Sequence, residues 1–409
     1  MINILDKQDC CGCSACIQVC PKQCITMLED KEGFLYPQVN TYDCIDCHLC
    51  EKVCPVLHSG KPRKPLNVYA AKNKDEKIRL QSSSGGVFSS LAEAIINAGG
   101  VVFGAKFDEE WKVVHGYTET KDGIADFRGS KYVQSWMGDN FSKVKYFLDN
   151  GRKVLFSGTP CQVAGLKRFL RKPYENLLTV DFICHGVPSP KVWRMYLKEL
   201  LENHSVSSNP MSKKSVSIEN ISFRDKRLGW KKFSCVFMLS ISDENGEKKT
   251  ISLSEMFSEN TYMKGFLENL YLRPACHHCP VKCLSSGSDI TIADFWGMDK
   301  VLCDKDDDLG YSVMLLNNVN ASFKLIAKLD ITEIGYEDIL RYNSPLEKSA
   351  VPDINRNYFF INLDNKSLSL LIPHALRRRH LLKLIYRTSN PQLSSSASFL
   401  RLNVLSSLN

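Results

Sequence analysis

The chain has 409 residues, 44% hydrophobic and 24% charged, enough for two or three domains with full cores and too apolar for a disordered chain. Its formal net charge is +8, but seven basic residues (Lys366, Arg377, Arg378, Arg379, Lys383, Arg387 and Arg401) follow residue 364 with no acid among them, so the body is near neutral and is not a generic nucleic-acid binder. Seventeen cysteines, without a basic-headed apolar leader or a run of about 18 apolar residues, point to a cytoplasmic chain using cysteine for metal ligation or redox chemistry, not to a secreted disulfide scaffold or an integral membrane protein.

Ten of the cysteines lie within residues 1–57, where Cys10-x2-Cys13-x2-Cys16-x3-Cys20-Pro21 is followed by Cys44-x2-Cys47-x2-Cys50-x3-Cys54-Pro55. This is the ferredoxin spacing, in which three thiolates wrap one [4Fe–4S] cube and the fourth crosses to the other. It pairs Cys10, Cys13 and Cys16 with Cys54, and Cys44, Cys47 and Cys50 with Cys20, leaving Cys11 and Cys24 spare. Zinc is the competing metal for four thiolates. SGKPRKP (59–65) reads as a linker, and Asn67–Ala71 starts a strand.

From there the pattern is β/α. Gly85-Gly86 opens a helix carrying Val87, Leu91, Ala94, Ile95 and Ala98 on one face, and Val101–Phe103 follows as a strand. The strand Lys153–Phe156 feeds a helix with Thr159 as N-cap, Pro160 first and Gln162 third. Leu177–Cys184 is a buried strand, and Ser189-Pro190 caps the next helix. Residues 203–220 read as an exposed loop. Ile221–Phe223 and Phe233–Ile241 alternate as strands, with a hairpin turn at Glu244–Glu247. The tail LLIPHALRRRHLLKLIYR reads as a terminal helix packed by its leucine face, with peripheral membrane contact as the alternative.

Cys161 in GTPCQVAGL and Cys184 in FICHG sit at the C-terminal ends of predicted parallel strands, the edge where α/β sheets bind ligands. Cys276-x2-Cys279 adds a pair on one loop. A third [4Fe–4S] site from these four stands level, on spacing alone, with two buried apolar cysteines and a separate zinc or dithiol pair. Cys283, His277 and His278 are alternative ligands, and Cys235 and Cys303 read as core. Ser82-Ser83-Ser84-Gly85-Gly86 before a helix suits a phosphate but more often is a plain cap. Arg128–Val133 adds two cations and an aromatic, or is a solvated loop. Asp289–Gly297 is a buried strand ending in an acid and two aromatics, beside a site or simply in the core.

Taken in order, the two CxxCxxCxxxCP runs, SSSGGVFSSLA, FRGSKYVQS, VLFSGTPCQVAGL, FICHGVPSP, RPACHHC and DITIADFWG resemble the beta subunit family of coenzyme F420 hydrogenase/dehydrogenase. The resemblance spans roughly residues 5–300. More narrowly, it is to bacterial members with a fused N-terminal ferredoxin domain, often associated with polysaccharide-synthesis loci. It implies an iron–sulfur flavoprotein oxidoreductase with FAD in the α/β domain and the third cluster on Cys161, Cys184, Cys276 and Cys279. Ser84, Gly85, Gly86, Lys131 and Thr159 are then the flavin contacts, and the partners a ferredoxin-type redox protein and a small-molecule substrate. The alternative is an electron-transfer subunit with no substrate of its own.

The fold expected is α+β: a ferredoxin-like 2x[4Fe–4S] domain (1–58), an α/β flavin-binding domain with a mixed sheet (66–310), and a C-terminal extension with the basic tail (311–409).

Overall fold

The computed structural model describes residues 1–205, 215–242, 247–318 and 327–389, with side chains as far as residue 378. Its strands are β1 (Ile25–Glu29), β2 (Leu35–Val39), β3 (Asn67–Asn73), β4 (Val101–Phe107), β5 (Val113–Thr118), β6 (Val154–Ser157), β7 (Leu177–Phe182), β8 (Ser215–Asp225), β9 (Ser234–Ser242), β10 (Lys248–Met256), β11 (Ile290–Asp294), β12 (Ser312–Leu316) and β13 (Leu329–Glu333).

The N-terminal unit builds one backbone device twice. Gly12 (φ +71°) and Ser14 (φ +63°) flank Cys13, while Asp46 (φ +52°) and His48 (φ +57°) flank Cys47. Each left-handed pair turns the chain sharply before a short helix, Ala15–Val19 or Leu49–Lys52. The first loop carries a glycine because a Cβ at Gly12 would come within 2.7 Å of the Arg273 and Gln134 side chains. The second faces solvent and tolerates Asp46. The antiparallel pair β1–β2 lies between the two loops in the chain.

Eight strands form one mixed sheet in the order β13-β3-β12-β11-β7-β6-β4-β5. The pairs β4–β6, β6–β7 and β7–β11 are parallel and the rest antiparallel. Side chains alternate between its faces, as a period of two requires. Val101, Phe103, Val154 and Phe156 pack with Phe141, Val163 and Leu166 on one face. Val102, Leu155, Leu178 and Val180 pack with Leu91, Ala92 and Ile95 of the helix Val87–Asn97 on the other. The first of these cores also contains Cys11, Cys13, Ala15 and Val53, so the N-terminal unit and the sheet share one apolar interior.

Since β3 is antiparallel to β12 and β12 to β11, the strands β3, β4, β6, β7 and β11 all run the same way. Their C-terminal ends share one edge, and this ordering positions the candidate site.

A second sheet, β10-β9-β8, packs with the helix Pro190–Ser205 around Trp193, Phe223, Phe237 and Tyr262. The C-terminal helix Leu368–Ser389 lays Leu368, Leu371 and Ile372, all fully buried, on the same core, as its leucine pattern predicts. No helix among the described residues is long and apolar enough to cross a membrane.

Several expectations need correction. The proposed loop 203–220 is helical to Ser205 and strand from Ser215, because cross-strand packing of Val216 and Ile218 in the core outweighs the polar composition; residues 206–214 lie outside the described residues. The buried strand expected over Leu177–Cys184 ends at Phe182. The linker is docked: Arg63 donates its backbone N–H to Cys283 O at 3.0 Å and its Nε to Leu284 O at 2.8 Å. The boundary at residue 310 runs through the large sheet, since β12 fills the space between β3 and β11. Cys303 is exposed, not core, whereas Cys235 is buried. Strands β9 and β10 pair from Ser242 and Lys248 as a hairpin; Glu244–Gly246 of the expected turn lie outside the described residues.

Candidate iron–sulfur and edge site

Two hollows open to solvent occupy the N-terminal unit. One is lined by Cys10, Cys11, Cys13, Cys16 and Cys54, the other by Cys20, Cys24, Cys44, Cys47 and Cys50. Each contains a four-thiol set expected from the spacing, with the crossed fourth cysteine in place and one supposed spare beside it. Cys24 stands 3.4 Å from Cys20. The first set is the inner one. Cys13 is buried, and Gly165 lets the helix Pro160–Leu170 press so close that a Cβ there would lie 3.0 Å from the Cys13 Sγ. The second set is the outer one, with Cys47 exposed.

The four remaining candidate thiols lie near enough to one another to act electrostatically on each other. Cys161 is the second residue of the helix Pro160–Leu170, after β6, and Cys184 follows β7, the neighbouring strand. Cys276 lies in the turn Pro274–His278, with Cys279 just beyond, and Val187 N–H donates to the Cys276 Sγ at 3.4 Å. Burial, then repulsion from Cys276, Cys161 and Cys279, pushes the Cys184 thiol well up. Burial likewise pushes Cys276 up to about 12 and raises Cys279. Four such thiols do not ionise together unless a cationic centre takes the charge, which is the chemistry of an iron–sulfur ligand set. Cys283 is shifted by burial, Glu347 and Lys282 and by no thiol, and His277 bonds the Ala350 carbonyl; neither acts on the four. Cys11 is placed where sequence could not put it. Its buried thiol lies beside Cys13 and Cys161 and acts on both electrostatically, between the inner N-terminal set and this one. Among the described residues no three His, Cys, Asp or Glu side chains converge on one point as ligands of a single metal ion.

The small-residue loop lies farther along the same edge, after β3. Ser84 Oγ bonds Ser312 Oγ at 2.7 Å, and Gly85 N–H donates to that same oxygen at 3.0 Å. A Cβ at Gly85 would land on the Ala71 carbonyl, and Gly86 (φ +80°) opens the helix with no side-chain cap. Ser83 and Ser130 exchange hydrogen bonds at 2.7 and 2.8 Å, tying this loop to RGSKY. Lys131 folds back on the Arg128 and Gly129 carbonyls, and burial pushes its ammonium down to about 8. Thr159 sits apart from these four. It forms the expected capping box with Gln162, and its Oγ1 is 3.1 Å from the Cys161 Sγ.

Sequence reasoning missed two buried cations here. Arg224 bonds Asp294 at 2.8 Å, Tyr132 Oη at 3.3 Å and the Ser83 carbonyl at 3.4 Å, and leaves its Nε without a partner. Burial opposes its charge, but Asp294 and Tyr132 outweigh that and hold it charged. Lys226 donates to the Arg79, Ser84 and Leu309 carbonyls; burial, then Arg79 and Arg224, pushes it down to about 7. Trp230 Nε1 also donates to Ser83 O at 3.1 Å, and its ring lies 4.6 Å from that of Trp296. Trp296 and Phe182, beyond β11 and at the end of β7, remain 36% and 39% exposed, so two open aromatic faces border the edge. The only signal was FRDKR at a strand end, two cations among alternating residues.

His115, also missed, stacks on Phe156 with its ring centroid 5.5 Å away. Its Nε2–H donates to the Ser157 carbonyl (3.1 Å) and its Nδ1 accepts from Ser135 Oγ (2.9 Å), which in turn accepts from Gln162 Nε2 (2.9 Å). Burial pushes its pKa down to about 4, so the fold holds the neutral ring. The stability it contributes is whole above pH 6.5 and is lost as pH falls toward 4, about 3 kcal/mol in all and about 2 kcal/mol by pH 5. Urea unfolding at pH 7 and pH 5 should show this slope, and His115→Asn should flatten it.

Fold and thiols together define a cysteine-rich iron–sulfur protein on a mixed α/β sheet. Comparison with known families agrees: residues 9–57 match a 4Fe-4S dicluster domain, residues 68–139 match the N-terminal part of the coenzyme F420 hydrogenase/dehydrogenase beta subunit, and residues 151–332 match its C-terminal part. The chain belongs to the coenzyme F420 hydrogenase/dehydrogenase beta subunit family. A search of curated proteins gives no match. Among solved structures, the F420-reducing [NiFe] hydrogenase complex from Methanosarcina barkeri, in a xenon-derivatised crystal, contains a similar chain at 17% identity and a TM-score of 0.43. The similarity covers 72% of this chain and 91% of that one, and is too distant to transfer residue roles.

Proposed function

We propose that this chain is an iron–sulfur flavoprotein oxidoreductase that carries electrons between a redox partner and a small substrate bound at the sheet edge. The observation that carries the reading is the succession of thiol sets: the exposed Cys47 loop, the inner Cys10/Cys13/Cys16/Cys54 set, then Cys161, Cys184, Cys276 and Cys279, with the Cys11 thiol lying beside both Cys13 and Cys161. Clusters on such thiols supply one-electron steps and a flavin the two-electron step.

The chain's own residues fit an FAD along the edge. The helix start at Gly86 leaves first-turn N–H groups for an anion, and the exposed Phe182 and Trp296 faces suit a flat ring. The Arg224 guanidinium, with its unpartnered Nε, adds a donor in the same neighbourhood. β3 and β7 are three strand spacings apart, about 14 Å, a span that one dinucleotide bridges. Lys131 and Arg128 brace the facing loop. At the outer end, Tyr42 and Ile45 are largely exposed and suit a ferredoxin-type partner. A glycan-pathway intermediate as substrate rests on the family resemblance alone.

Anaerobic purification with iron, sulfide and flavin quantified together is the test. About twelve irons and one FAD per chain are expected, four irons for each set. About eight irons with no flavin would remove the third set and the edge site, leaving an electron carrier for a separate oxidoreductase.

A further inference from the structure

Arg273 is fully buried between the N-terminal unit and the sheet. Its Nε donates to the Cys10 carbonyl at 2.6 Å. One terminal nitrogen donates to Gln134 Oε1 at 3.0 Å, and the other to the Leu35 carbonyl at 2.9 Å and the Cys10 Sγ at 3.4 Å. Its plane lies 4.4 Å from the centre of the Tyr36 ring. Gln134 completes the clamp by donating to the Cys11 carbonyl at 3.2 Å.

Every partner of this guanidinium is a carbonyl, an amide, a ring or a sulfur. Among the described residues no carboxylate pairs with it, whereas the other buried guanidiniums, Arg79 and Arg224, each hold an aspartate. A buried cation without a counter-charge is costly, so the negative charge that balances Arg273 has to come from the thiolates beside it. The outer set has nothing equivalent: among the described residues no guanidinium or ammonium hydrogen-bonds Cys20, Cys24, Cys44, Cys47 or Cys50, and the contacts there are Cys20 with Cys24 and the Ile2 N–H to Cys50.

We infer that Arg273 sets the reduction potential of the inner N-terminal cluster, raising it above that of the outer one so that electrons entering at the exposed loop run inward. One-electron reduction adds a negative charge to the centre that Cys10 ligates, and a fixed cation 3.4 Å from that sulfur favours the reduced form. Arg273 is therefore a positioning and potential-setting residue, three positions before Cys276. The inference rests on the N-terminal thiols holding clusters and is independent of whether a third cluster or a flavin is present.

The test is a dithionite redox titration of the full chain, followed by electron paramagnetic resonance, with iron content measured in parallel. In Arg273→Gln, one wave is expected to move to lower potential by at least the equivalent of a tenfold change in the reduction equilibrium, about 59 mV for one electron, while the other N-terminal wave holds. Arg273→Lys, which keeps the charge, is expected to keep most of the potential. If Arg273→Gln loses the inner iron and Arg273→Lys retains both iron and potential, the charge requirement stands. Unchanged waves in an iron-replete Arg273→Gln, or loss of the inner iron in both variants, overturn the inference. A wild-type chain with eight irons and no flavin would instead sink the proposed function and leave this titration interpretable.

Discussion

On the proposed three-cluster relay, replacing Cys161 with serine is expected to lower the iron content from about twelve to about eight per chain while both N-terminal centres keep their spectra. The hydroxyl is a poorer ligand than thiolate for iron. The remaining Cys184, Cys276 and Cys279, with thiols raised by burial, gain nothing from ionising without the metal. Flavin reduction by a ferredoxin-type donor should fall by orders of magnitude, because the step between the inner set and the edge is removed. Two comparisons make the result specific. Cys303→Ser, at an exposed position where, among the described residues, the thiol bonds only the neighbouring Asp304, should change nothing. Cys11→Ser changes a thiol beside Cys161 but outside the four-ligand set, and should slow transfer while leaving the iron count intact. An iron count unchanged in Cys161→Ser but reduced in Cys11→Ser would make Cys11 the ligand and exchange their roles.

The second large effect concerns Arg224 and Asp294. Their 2.8 Å ion pair joins a guanidinium 3% exposed to a carboxylate 22% exposed, and removing one partner strands the other. Asp294→Asn is expected to destabilise the protein by about 3 kcal/mol, the lower end for a broken buried pair because the carboxylate is partly solvated. Arg224→Met combined with Asp294→Asn should recover at least half of that loss, since no unpaired charge remains. Urea unfolding of the two single variants and the double gives the coupling; strictly additive losses would show that the pair does not act as a unit. On the proposed edge site, flavin content should fall in all three variants, because Arg224 helps fix the Ser83 carbonyl and hence the loop before Gly86. Retention of flavin in the double variant would separate the pair's structural role from the edge site.

Much of this protein is legible in one dimension because its chemistry is local. The ferredoxin runs specify their own loops: spacing sets which thiols gather, and the left-handed residues around Cys13 and Cys47 repeat the same turn. The capping box at Thr159 and Gln162 is written in adjacent residues and forms as written. The apolar periods of Val87–Asn97 and Leu368–Ile372 state which face is buried, except that Ala98, expected on the first of these faces, is the exposed C-cap.

What sequence could not show depends on contacts between distant segments. Cys11 was surplus by counting and becomes the link to Cys161, because the first loop docks on the helix that starts at Pro160. β12 and β13 carry no motif, yet β12 completes the middle of the sheet, since a strand's place depends on which edges are left unpaired. Arg224 and Lys226 drew no reading from the sequence, and Arg273 merely preceded a CxxC. Tertiary packing buries all three, and burial turns an ordinary surface cation into one that must find a partner. By itself, then, the sequence determined the cysteine chemistry, the α+β class and the local helix starts, all of which depend on neighbours a few residues away. Only the tertiary structure decided that the thiol sets succeed one another toward one sheet edge, and which cations stand beside them, because strand order and burial are properties of the whole chain.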